Sequence, residues 1–303
     1  MPEGTPDLAA LRRRLNDALL GSLPQAPAGS RAELREFYAL LRDYPERGGK
    51  GLRGLLVLLA CGAHGGDPQR ALPVAVALEL FQTWVLIHDD IEDDSEERRG
   101  RPALHKLVGM PVALNVGDLL HVHMWDVLLE GVAGLPRARA LRREVSRMIH
   151  RTAEGQHLDL CWVESGRFDL SAADYLEMVA LKTAYYTVTS PLRLGALCAD
   201  AEPAPGLEEA GRDLGVAFQI RDDVLNLSPE AADGSMVPAG YGKEFAGDLF
   251  EAKRSLILAE TFARATETER RELEARLGKP RRSRSGADVA ACLEIILRHG
   301  ALG

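Results

Sequence analysis

The chain has 303 residues, a length that fits one large domain or two ordinary ones. Hydrophobic residues make up 46% and charged residues 27% of the sequence, close to the average for a globular protein, which excludes a chain that is disordered throughout. The formal net charge is −8, which argues against nucleic-acid binding through bulk positive charge. Any anion that the protein binds must therefore be held by local groups.

Apolar residues recur at spacings of three and four residues through most of the chain, beginning with Leu8, Leu11, Leu15 and Leu19. This period predicts helices, and the sustained alternation that indicates strands is scarce. No repeat of fixed period is found, so the sequence predicts an all-α fold, a single large helical bundle over residues 1–303. Short segments rich in Gly and Pro predict the main connections, at residues 23–30, 62–67, 131–136 and 202–206.

Two further segments have a looser composition. Residues 228–242 are rich in Gly, Pro and Ala, and residues 278–286 alternate basic residues with Ser. We expect Arg281, Arg282 and Arg284, in the second of these segments, to lie in a mobile, solvated loop. Neither segment is expected to separate two domains.

Uninterrupted apolar stretches are short, as at residues 55–61 and 72–80, whereas a membrane span needs roughly 18 apolar residues. The start of the chain lacks the apolar core of a secretion signal. The cysteines form no CxxC pair, which is typical of reduced thiols rather than of disulfides or a zinc site; they are Cys61, Cys161, Cys198 and Cys292. We therefore expect a cytoplasmic protein without a membrane span.

Acidic residues cluster where a long apolar pattern ends, directly after residues 78–87. Asp89 and Asp93 are four residues apart and lie on one face of a helix, with Asp90 beside them. Like charges in this arrangement repel each other unless a cation lies between them. For a single cluster of this kind, a solvated acidic surface is the alternative explanation.

A second acidic pair, Asp222 and Asp223, follows another apolar pattern at residues 214–220. We expect both apolar helices to be mostly buried, and carboxylates are rarely buried without a partner. Two such clusters therefore favour a metal site. Because all the ligands are oxygen atoms, Mg²⁺ is the expected ion, and Mg²⁺ held by few carboxylates usually also binds substrate phosphates.

Basic residues near these clusters support a phosphorylated substrate. Arg98 and Arg99 follow the first cluster, while Lys50 and Arg53 lie in a glycine-rich segment, residues 48–54. Arginine offers paired donors that suit phosphate oxygens, although each of these residues taken singly also fits a solvated surface position. The patterns GxxxxGK[ST] and GxGxxG are absent, which disfavours nucleoside triphosphate chemistry. A diphosphate bound through magnesium remains as the expected substrate.

The order of these motifs along residues 48–258 resembles the trans-isoprenyl diphosphate synthases, also called polyprenyl synthetases. The family pattern is matched in order by Gly48-Gly49-Lys50 with Arg53, Asp89-Asp90-Ile91-Glu92-Asp93 with Arg98-Arg99, Gly155-Gln156 with Asp159, Lys182-Thr183, Phe218-Gln219-Ile220-Arg221-Asp222-Asp223, and Gly242-Lys243 with Gly247-Asp248-Leu249 and Lys253. A single motif of this length can occur by chance in an unrelated sequence, whereas the complete set in this order identifies the family.

The resemblance implies a helical fold around a central active-site cavity, commonly homodimeric, that binds isopentenyl diphosphate and an allylic diphosphate with two or three Mg²⁺ ions. It implies magnesium ligands at Asp89, Asp93 and Asp222, with Asp90 and Asp223 as further ligands or as partners of the ligands. The residues implied for the allylic diphosphate are Arg98, Lys182, Lys243 and Lys253. Those implied for isopentenyl diphosphate are Lys50, Arg53, Gln82 and Arg99.

The implied reaction is a head-to-tail condensation that gives a trans double bond. Magnesium and the basic residues stabilise charge on the departing diphosphate, and the double bond of isopentenyl diphosphate attacks the allylic cation. Backbone carbonyls near Lys182 and Thr183, and the amide of Gln219, resemble groups that steady this cation. The catalytic set implied in this way is Asp89, Asp90, Asp93, Lys182, Thr183, Gln219 and Asp222.

Product length in this family depends on side chains before the first aspartate motif, here Phe81, Trp84 and Val85. Trp84 precedes Asp89 by five residues, about 7 to 8 Å along a helix, and its bulk is expected to block elongation early. The resemblance therefore predicts a short-chain product, geranylgeranyl diphosphate in preference to farnesyl diphosphate. The alternative is that Phe81 and Trp84 are ordinary core aromatics.

Four positions depart from the family pattern, namely Gly51, Gly54, Asn226 and Ala252. Asn226 matters most, because it keeps an oxygen atom but carries one negative charge fewer than Asp.

Two other functions stay open. A terpene cyclase shares the fold and the first acidic motif, although its usual second motif is different, and a non-catalytic regulatory subunit of a heteromeric synthase would keep the fold while losing ligands.

Overall fold

The described residues, 7–228 and 245–302, form helices almost throughout in this computed structural model, which confirms the expected all-α fold. In chain order the α-helices are α1 (Leu8–Ser22), α2 (Ala32–Leu40), α3 (Asp43–Glu46), α4 (Leu52–Ala63), α5 (Pro68–Glu92), α6 (Leu104–Val108), α7 (Met110–Val132), α8 (Ala138–Glu164), α9 (Ala172–Val179), α10 (Ser190–Cys198), α11 (Leu207–Leu227), α12 (Gly247–Phe250), α13 (Leu256–Arg264), α14 (Glu267–Leu277) and α15 (Gly286–Arg298).

Three shorter elements of other types interrupt this series. Strands β1 (Glu97–Arg98) and β2 (Arg101–Pro102) form an antiparallel hairpin directly after α5. A π-helix, Ala180–Thr189, lies between α9 and α10, and a 3₁₀ turn, Arg281–Ser283, precedes α15. The strand pair and the π-helix both carry residues of the predicted site.

The predicted connections coincide with the observed helix ends, and capping residues explain several of the starts. Helix α1 ends at Ser22, directly before the predicted break at residues 23–30. Helix α5 begins at Pro68, directly after the predicted break at residues 62–67. Helices α9, α14 and α15 each begin with a capping box, in which a hydroxyl residue and an acidic residue three positions later exchange hydrogen bonds with each other's backbone N–H. These pairs are Ser171 with Asp174, Thr266 with Glu269, and Ser285 with Asp288.

The chain divides into two compact units. The first comprises Met1–Ile91, Ala103–His150 and Tyr185–Arg212, and the second comprises Glu92–Pro102, Arg151–Ala184 and Asp213–Gly303. The expectation of a single domain over residues 1–303 stays a prediction. Four cysteines, all within the described residues, are free thiols, as their spacing predicts.

The core of the first unit is one large apolar cluster that includes Val57, Leu78, Leu120 and Leu194. Helices α4 and α10 pack closely there, because a Cβ atom at Gly195 would lie only 2.5 Å from the backbone oxygen of Val57. Only glycine permits this approach. The second unit has two smaller apolar clusters, one around Trp162, Tyr175 and Met178 and the other around Leu249, Ile257, Leu273 and Ile296.

Helix α5 is the central buried helix of the first unit. Its apolar residues pack on several sides, with Val74, Leu78 and Phe81 almost fully buried. Among the described residues it is the one helix long and apolar enough to cross a membrane, yet 56% of its most apolar window is buried within the fold. Such burial is typical of a core helix, and the absence of a membrane span stays a prediction.

Helix α11 differs from the expectation that its apolar residues are buried. Leu214 is 61% exposed and Phe218 is 37% exposed. The buried side of the helix instead carries small residues, since a Cβ atom at Gly215 would lie 2.4 Å from the Cα atom of Ala184. Close backbone packing, rather than large apolar side chains, therefore attaches this part of α11 to its neighbour.

The expectation of a solvated loop at the three arginines after residue 280 is wrong for Arg284. That side chain is only 7% exposed and caps the ends of two helices in the second unit. Its guanidinium donates hydrogen bonds to backbone carbonyls of Leu249, Phe250, Leu277 and Lys279. Carbonyls at helix ends lack partners within the helix, and arginine can satisfy several of them at once.

Candidate active site

The first acidic motif lies at the end of α5, as predicted, and its second aspartate is completely buried. The hydroxyl of Tyr44 donates to Oδ2 of Asp90 at 2.5 Å. The same hydroxyl accepts a hydrogen bond from the backbone N–H of Leu104 at 3.1 Å. Tyr44 therefore attaches the end of α5 to the start of α6, a contact that the sequence analysis did not foresee.

The predicted arginine pair lies on the β-hairpin of the second unit. Arg98 pairs with Arg101, so Arg99 and Gly100 form a two-residue turn, with φ values of 55° and 71°. Positive φ at both turn positions is the geometry that follows the natural twist of a hairpin. Arg98 is buried, whereas Arg99 lies at the tip of the turn. The two arginines thus have different surroundings despite being adjacent.

A group of opposite charges in the second unit brings together three of the predicted residues. Nζ of Lys253 lies 2.5 Å from Oδ2 of Asp93 and 3.3 Å from Oδ2 of Asp159. Nζ of Lys182 lies 2.6 Å from the same Oδ2 atom of Asp159. Asp159 is almost fully buried and joins the two lysines. The sequence analysis placed Asp159 in a family motif but assigned no role to it.

Lys182 and Thr183 lie on the π-helix, where the wider turn changes the positions of backbone carbonyls and is often found at functional sites. Helix α8 approaches this segment closely, because a Cβ atom at Gly155 would lie 2.2 Å from the backbone nitrogen of Lys182. Gly215 of α11 approaches it at Ala184. Two glycines therefore hold the segment that carries Lys182 against neighbouring helices.

The second acidic motif is held by a second tyrosine. The hydroxyl of Tyr175, on α9, donates to Oδ2 of Asp223 at 2.6 Å, and the amide of Gln219 donates to Oδ1 at 2.8 Å. Burial, together with the adjacent carboxylate, raises the pKa of Tyr175, so the phenol keeps its proton. Both oxygen atoms of Asp223 thus accept hydrogen bonds from side chains. Sequence analysis predicted Gln219 but not Tyr175.

Asn226, the main departure from the family pattern, has a structural partner. Its Oδ1 atom accepts a hydrogen bond from the backbone N–H of Asp248 at 3.0 Å, and its carbonyl accepts one from Ala246 at 2.9 Å. Asn226 is almost fully buried. The amide oxygen therefore attaches the end of α11 to the start of α12. Lys243, which was predicted to bind the allylic diphosphate, lies outside the described residues.

The glycine-rich segment precedes α4 in the first unit. Gly51 has a φ of 62°, which favours glycine, and Nη2 of Arg12 donates to the carbonyl of Gly49 at 2.7 Å. Lys50 is exposed between them. One turn further, Nη2 of Arg53 donates to Oγ1 of Thr187 at 2.8 Å.

Gln82 and Arg53 each keep a polar atom without a partner in the described part of the chain. Gln82 is buried, and its Oε1 atom accepts no hydrogen bond. Nε of Arg53 is buried and likewise donates none. A buried polar atom without a partner costs free energy, so such atoms need an explanation. Both residues were predicted to bind a diphosphate, whose oxygen atoms could accept from Nε of Arg53 but offer no donor to Oε1 of Gln82.

The predicted chain-length residues form an aromatic group in the first unit. The ring of Trp84 stacks on the imidazole of His121, with centroids 4.0 Å apart and planes within 3°. Phe81 meets the edge of Trp84 at 5.5 Å and that of Tyr186 at 5.6 Å. Burial lowers the pKa of His121, so its ring is neutral near pH 7. Val85 packs beside this group.

The chemistry of the carboxylates fits magnesium. The first unit carries Asp89 and Asp90, while the second carries Asp93, Asp222 and Asp223. Among the described residues no three His, Cys, Asp or Glu side chains form a complete cage for an ion. Magnesium does not require such a cage, because it keeps several waters and binds through one or two carboxylates together with phosphate oxygens.

Comparison with known proteins identifies the family. The sequence model of the family described as polyprenyl synthetase matches residues 35–296. A short chain isoprenyl diphosphate synthase of Methanothermobacter thermautotrophicus is 37% identical over 258 residues, which cover 84% of this chain and 74% of the relative. A geranylfarnesyl diphosphate synthase of Aeropyrum pernix is 34% identical over 262 residues, which cover 84% of this chain and 77% of the relative.

A solved structure agrees with these matches. The geranylgeranyl pyrophosphate synthase of Corynebacterium glutamicum, complexed with isoprenyl diphosphate and magnesium, is 30% identical with a TM-score of 0.84. The match covers 98% of this chain and 88% of that structure. The resemblance drawn from the ordered motifs is confirmed, and this chain belongs to the polyprenyl synthetase family.

Proposed function

We propose that this protein is a magnesium-dependent trans-isoprenyl diphosphate synthase that joins isopentenyl diphosphate to an allylic diphosphate. The observation that carries the proposal is the charge group of the second unit, in which Asp159 joins Lys182 and Lys253. Two largely buried lysines side by side suit the several negative charges of a diphosphate. The family match and the ligands of the Corynebacterium glutamicum structure support the same substrates and a divalent ion.

The proposed reaction depends on stabilising the negative charge that develops on the leaving diphosphate. Magnesium, when bound, supplies positive charge that stabilises the leaving diphosphate. Lys182 and Lys253 donate to the same group, so the negative charge of the transition state meets donors that are already oriented. In the free protein Asp93 and Asp159 bind these ammonium groups and hold them in place. Arg98 and Lys243 complete the proposed allylic diphosphate site.

For the metal we propose Asp89, Asp93 and Asp222 as ligands. Asp89 lies in the last turn of α5, whereas Asp93 follows the end of that helix, so the predicted placement of both on one helical face does not hold and their assignment rests on family resemblance. Two or three ions are proposed on family resemblance alone. Thr183 and Gln219 would face the allylic cation, Thr183 through its backbone on the π-helix.

Isopentenyl diphosphate is proposed to bind at the glycine-rich segment, through Lys50, Arg53, Gln82 and Arg99. The exposed residue Lys50 and the partnerless Nε atom of Arg53 support this assignment, while Gln82 and Arg99 are proposed on family resemblance. A bound diphosphate would accept from Nε of Arg53, whereas Oε1 of Gln82 is itself an acceptor and would need a donor such as a water.

We propose a short-chain product, geranylgeranyl diphosphate in preference to farnesyl diphosphate. Trp84 supports this choice, because its stack on His121 holds a large ring one and a half turns of helix before Asp89. The ring would stop the growing chain. The similarity to a short chain isoprenyl diphosphate synthase supports a short-chain product, while the relative named a geranylfarnesyl diphosphate synthase makes a longer one.

We further propose a homodimer formed through α7. Along one face of this helix, apolar side chains are exposed at positions that a second copy would cover, namely Met110, Leu114, Val122 and Leu129. A stripe of this kind on a water-soluble surface marks an interaction site, and a second copy of the chain is the partner that family resemblance favours. Cytoplasmic location is proposed from the free thiols.

Product analysis of the purified chain tests the reaction. Isopentenyl diphosphate would be supplied with dimethylallyl, geranyl or farnesyl diphosphate, with Mg²⁺ and with a chelator. The proposal expects linear products of fifteen to twenty carbons that disappear when the chelator is added. A cyclic hydrocarbon formed from the allylic substrate alone would replace the proposal with a cyclase, and no turnover under any condition would favour a regulatory subunit.

A further inference from the structure

Two buried tyrosines make the same contact with the two acidic motifs. Tyr44 donates its hydroxyl to Asp90, the second aspartate of the first motif, and Tyr175 donates to Asp223, the second aspartate of the second motif. We propose that Tyr44 and Tyr175 are positioning residues that fix the two acidic motifs for binding of the magnesium–diphosphate complex. The inference rests on the proposed function and adds to it residues that lie outside the predicted site.

In the contact between Tyr44 and Asp90, the tyrosine hydroxyl acts both as a donor and as an acceptor. The hydroxyl of Tyr44 donates to Asp90 and accepts from the backbone N–H of Leu104, so both its hydrogen-bonding functions are satisfied. Tyr44 and Asp90 are both buried, which leaves no room for water to replace the hydroxyl. The oxygen atom of one side chain therefore joins the last turn of α5 to the chain that follows the arginine hairpin.

The second contact fixes its carboxylate on both sides. Tyr175 donates to one oxygen of Asp223, while Gln219, one turn earlier on α11, donates to the other. Tyr175 comes from α9 and is itself buried, so the position of the carboxylate depends on the packing of a separate helix. Rotation of the Asp223 carboxylate would break the buried hydrogen bond from Tyr175 and the half-buried one from Gln219.

Within each acidic pair, the tyrosine contacts the second aspartate, whereas the first aspartate is a proposed metal ligand. Successive residues of an α-helix differ in direction by about 100°, so Asp89 and Asp222 leave their helix in a different direction from Asp90 and Asp223, which contact the tyrosines. Fixing the second carboxylate of each pair sets the rotation of the helix end that carries the first. The tyrosines thereby orient ligands that they do not touch, which is pre-organisation of a metal site by its supporting residues.

Replacing each tyrosine with phenylalanine tests the inference, because the ring and its packing remain. Tyr44→Phe and Tyr175→Phe would be titrated with inorganic diphosphate by calorimetry at several Mg²⁺ concentrations. We expect diphosphate affinity to fall about tenfold and the Mg²⁺ concentration for half-maximal binding to rise. In assays, the KM for the allylic substrate should rise, while the KM for isopentenyl diphosphate stays within about twofold.

Tyr185→Phe is the matched control. Its hydroxyl donates to the buried carboxylate of Glu144 at 2.9 Å, so it loses the same kind of contact without touching either acidic motif. All three variants should lose similar thermal stability, whereas only Tyr44→Phe and Tyr175→Phe should change the Mg²⁺ dependence. Equal Mg²⁺ dependence in the control and in the two test variants would overturn the inference.

A double-mutant cycle of Tyr175 and Asp223 adds a second test, which measures whether the two side chains act together. If Tyr175 acts through Asp223, then Asp223→Asn should shift the Mg²⁺ dependence, and adding Tyr175→Phe should weaken binding no further. Additive losses would show that the hydroxyl acts elsewhere and would contradict the inference. Failure of the proposed function has a different signature, because the unmodified protein would then bind no diphosphate with Mg²⁺.

Discussion

Asp159 shows how one buried carboxylate organises a binding site for an anion. It lies between Lys182 and Lys253, which would repel each other if they were left alone in the same place. A diphosphate carries more negative charge than one carboxylate, so it can bind both ammonium groups while Asp159 keeps them near each other. In the proposed site, Asp159 therefore keeps the two lysines together, and a diphosphate would compete with this single carboxylate for them.

At the level of a single side chain, Trp84→Ala should lengthen the product. Removing the ring opens space beside His121, so elongation should continue past twenty carbons by one or more five-carbon units. Chromatography of the dephosphorylated products would measure the change.

Trp84→Phe serves as the control for this prediction, since a phenyl ring can still stack on His121. We expect its products to resemble those of the unmodified protein. An unchanged product distribution in Trp84→Ala would show that Trp84 is an ordinary core residue and would remove it from the chain-length group.

Asn226 leads to a prediction about stability. In Asn226→Ala the half-buried N–H of Asp248 loses its acceptor, which should lower the free energy of unfolding by about 1 kcal/mol. Asn226→Asp keeps an acceptor oxygen and should retain more of the stability. Urea denaturation would compare the variants, and an Asn226→Ala protein as stable as the original would contradict the structural role.

The position of the π-helix depends on close contacts with neighbouring helices. Gly155→Ala would place a Cβ atom 2.2 Å from the backbone of Lys182, so the segment must shift. We expect a loss of about 1 to 3 kcal/mol in stability, typical of overpacking, together with at least a tenfold fall in kcat. Denaturation and steady-state kinetics would measure the two effects.

Gly21→Ala on α1 is the matched control, because a Cβ atom there meets nothing within 4 Å. In a helix interior alanine is about 0.5 to 1 kcal/mol more favourable than glycine, so this variant should be slightly more stable and fully active. Normal activity in Gly155→Ala would show that the position of the π-helix is not set by α8.

The start of α14 gives a prediction about pH. Hydrogen bonds from the backbone and hydroxyl of Thr266, then from His299 and Arg298, lower the pKa of Glu269 from 4.5 to about 2. Because the folded pKa is depressed, this stabilisation is present above pH 4.5 and is lost as the pH falls towards 2. The difference in Tm between the original protein and Glu269→Gln should therefore shrink across that window.

Glu274→Gln, an exposed change on the same helix, should have the same Tm as the original protein at each pH. A difference for Glu269→Gln that stays constant from about pH 6 to pH 2 would rule out the capping carboxylate as its source.

For the whole molecule, the exposed stripe on α7 predicts the oligomeric state. The double variant Leu114→Glu and Val122→Glu would bring charge into the proposed contact. It should therefore be a monomer where the original protein is a dimer. Light scattering after size-exclusion chromatography would measure the mass. Leu297→Glu, on the equally exposed surface of α15, should remain dimeric. A monomeric original protein would contradict the assignment of α7.

The helical fold, the main connections and the family could all be predicted from the amino-acid sequence. Helical periodicity and Gly-Pro breaks are local signals, and α1 and α5 begin or end where those signals predict. The ordered motifs are local as well, so the carboxylates and basic residues could be named without knowing how the helices pack. Residues such as Lys182 and Asp93 were predicted for this reason.

The partner of each of these residues, in contrast, depends on how the helices pack. Tyr44 lies 46 residues before Asp90, and Tyr175 lies 48 residues before Asp223, so no spacing rule connects them. Arg284 has the composition of a solvated loop residue, yet carbonyls at two helix ends hold it inside the fold. Contacts between distant segments depend on how helices pack, and helical periodicity records which face is buried but not what it meets.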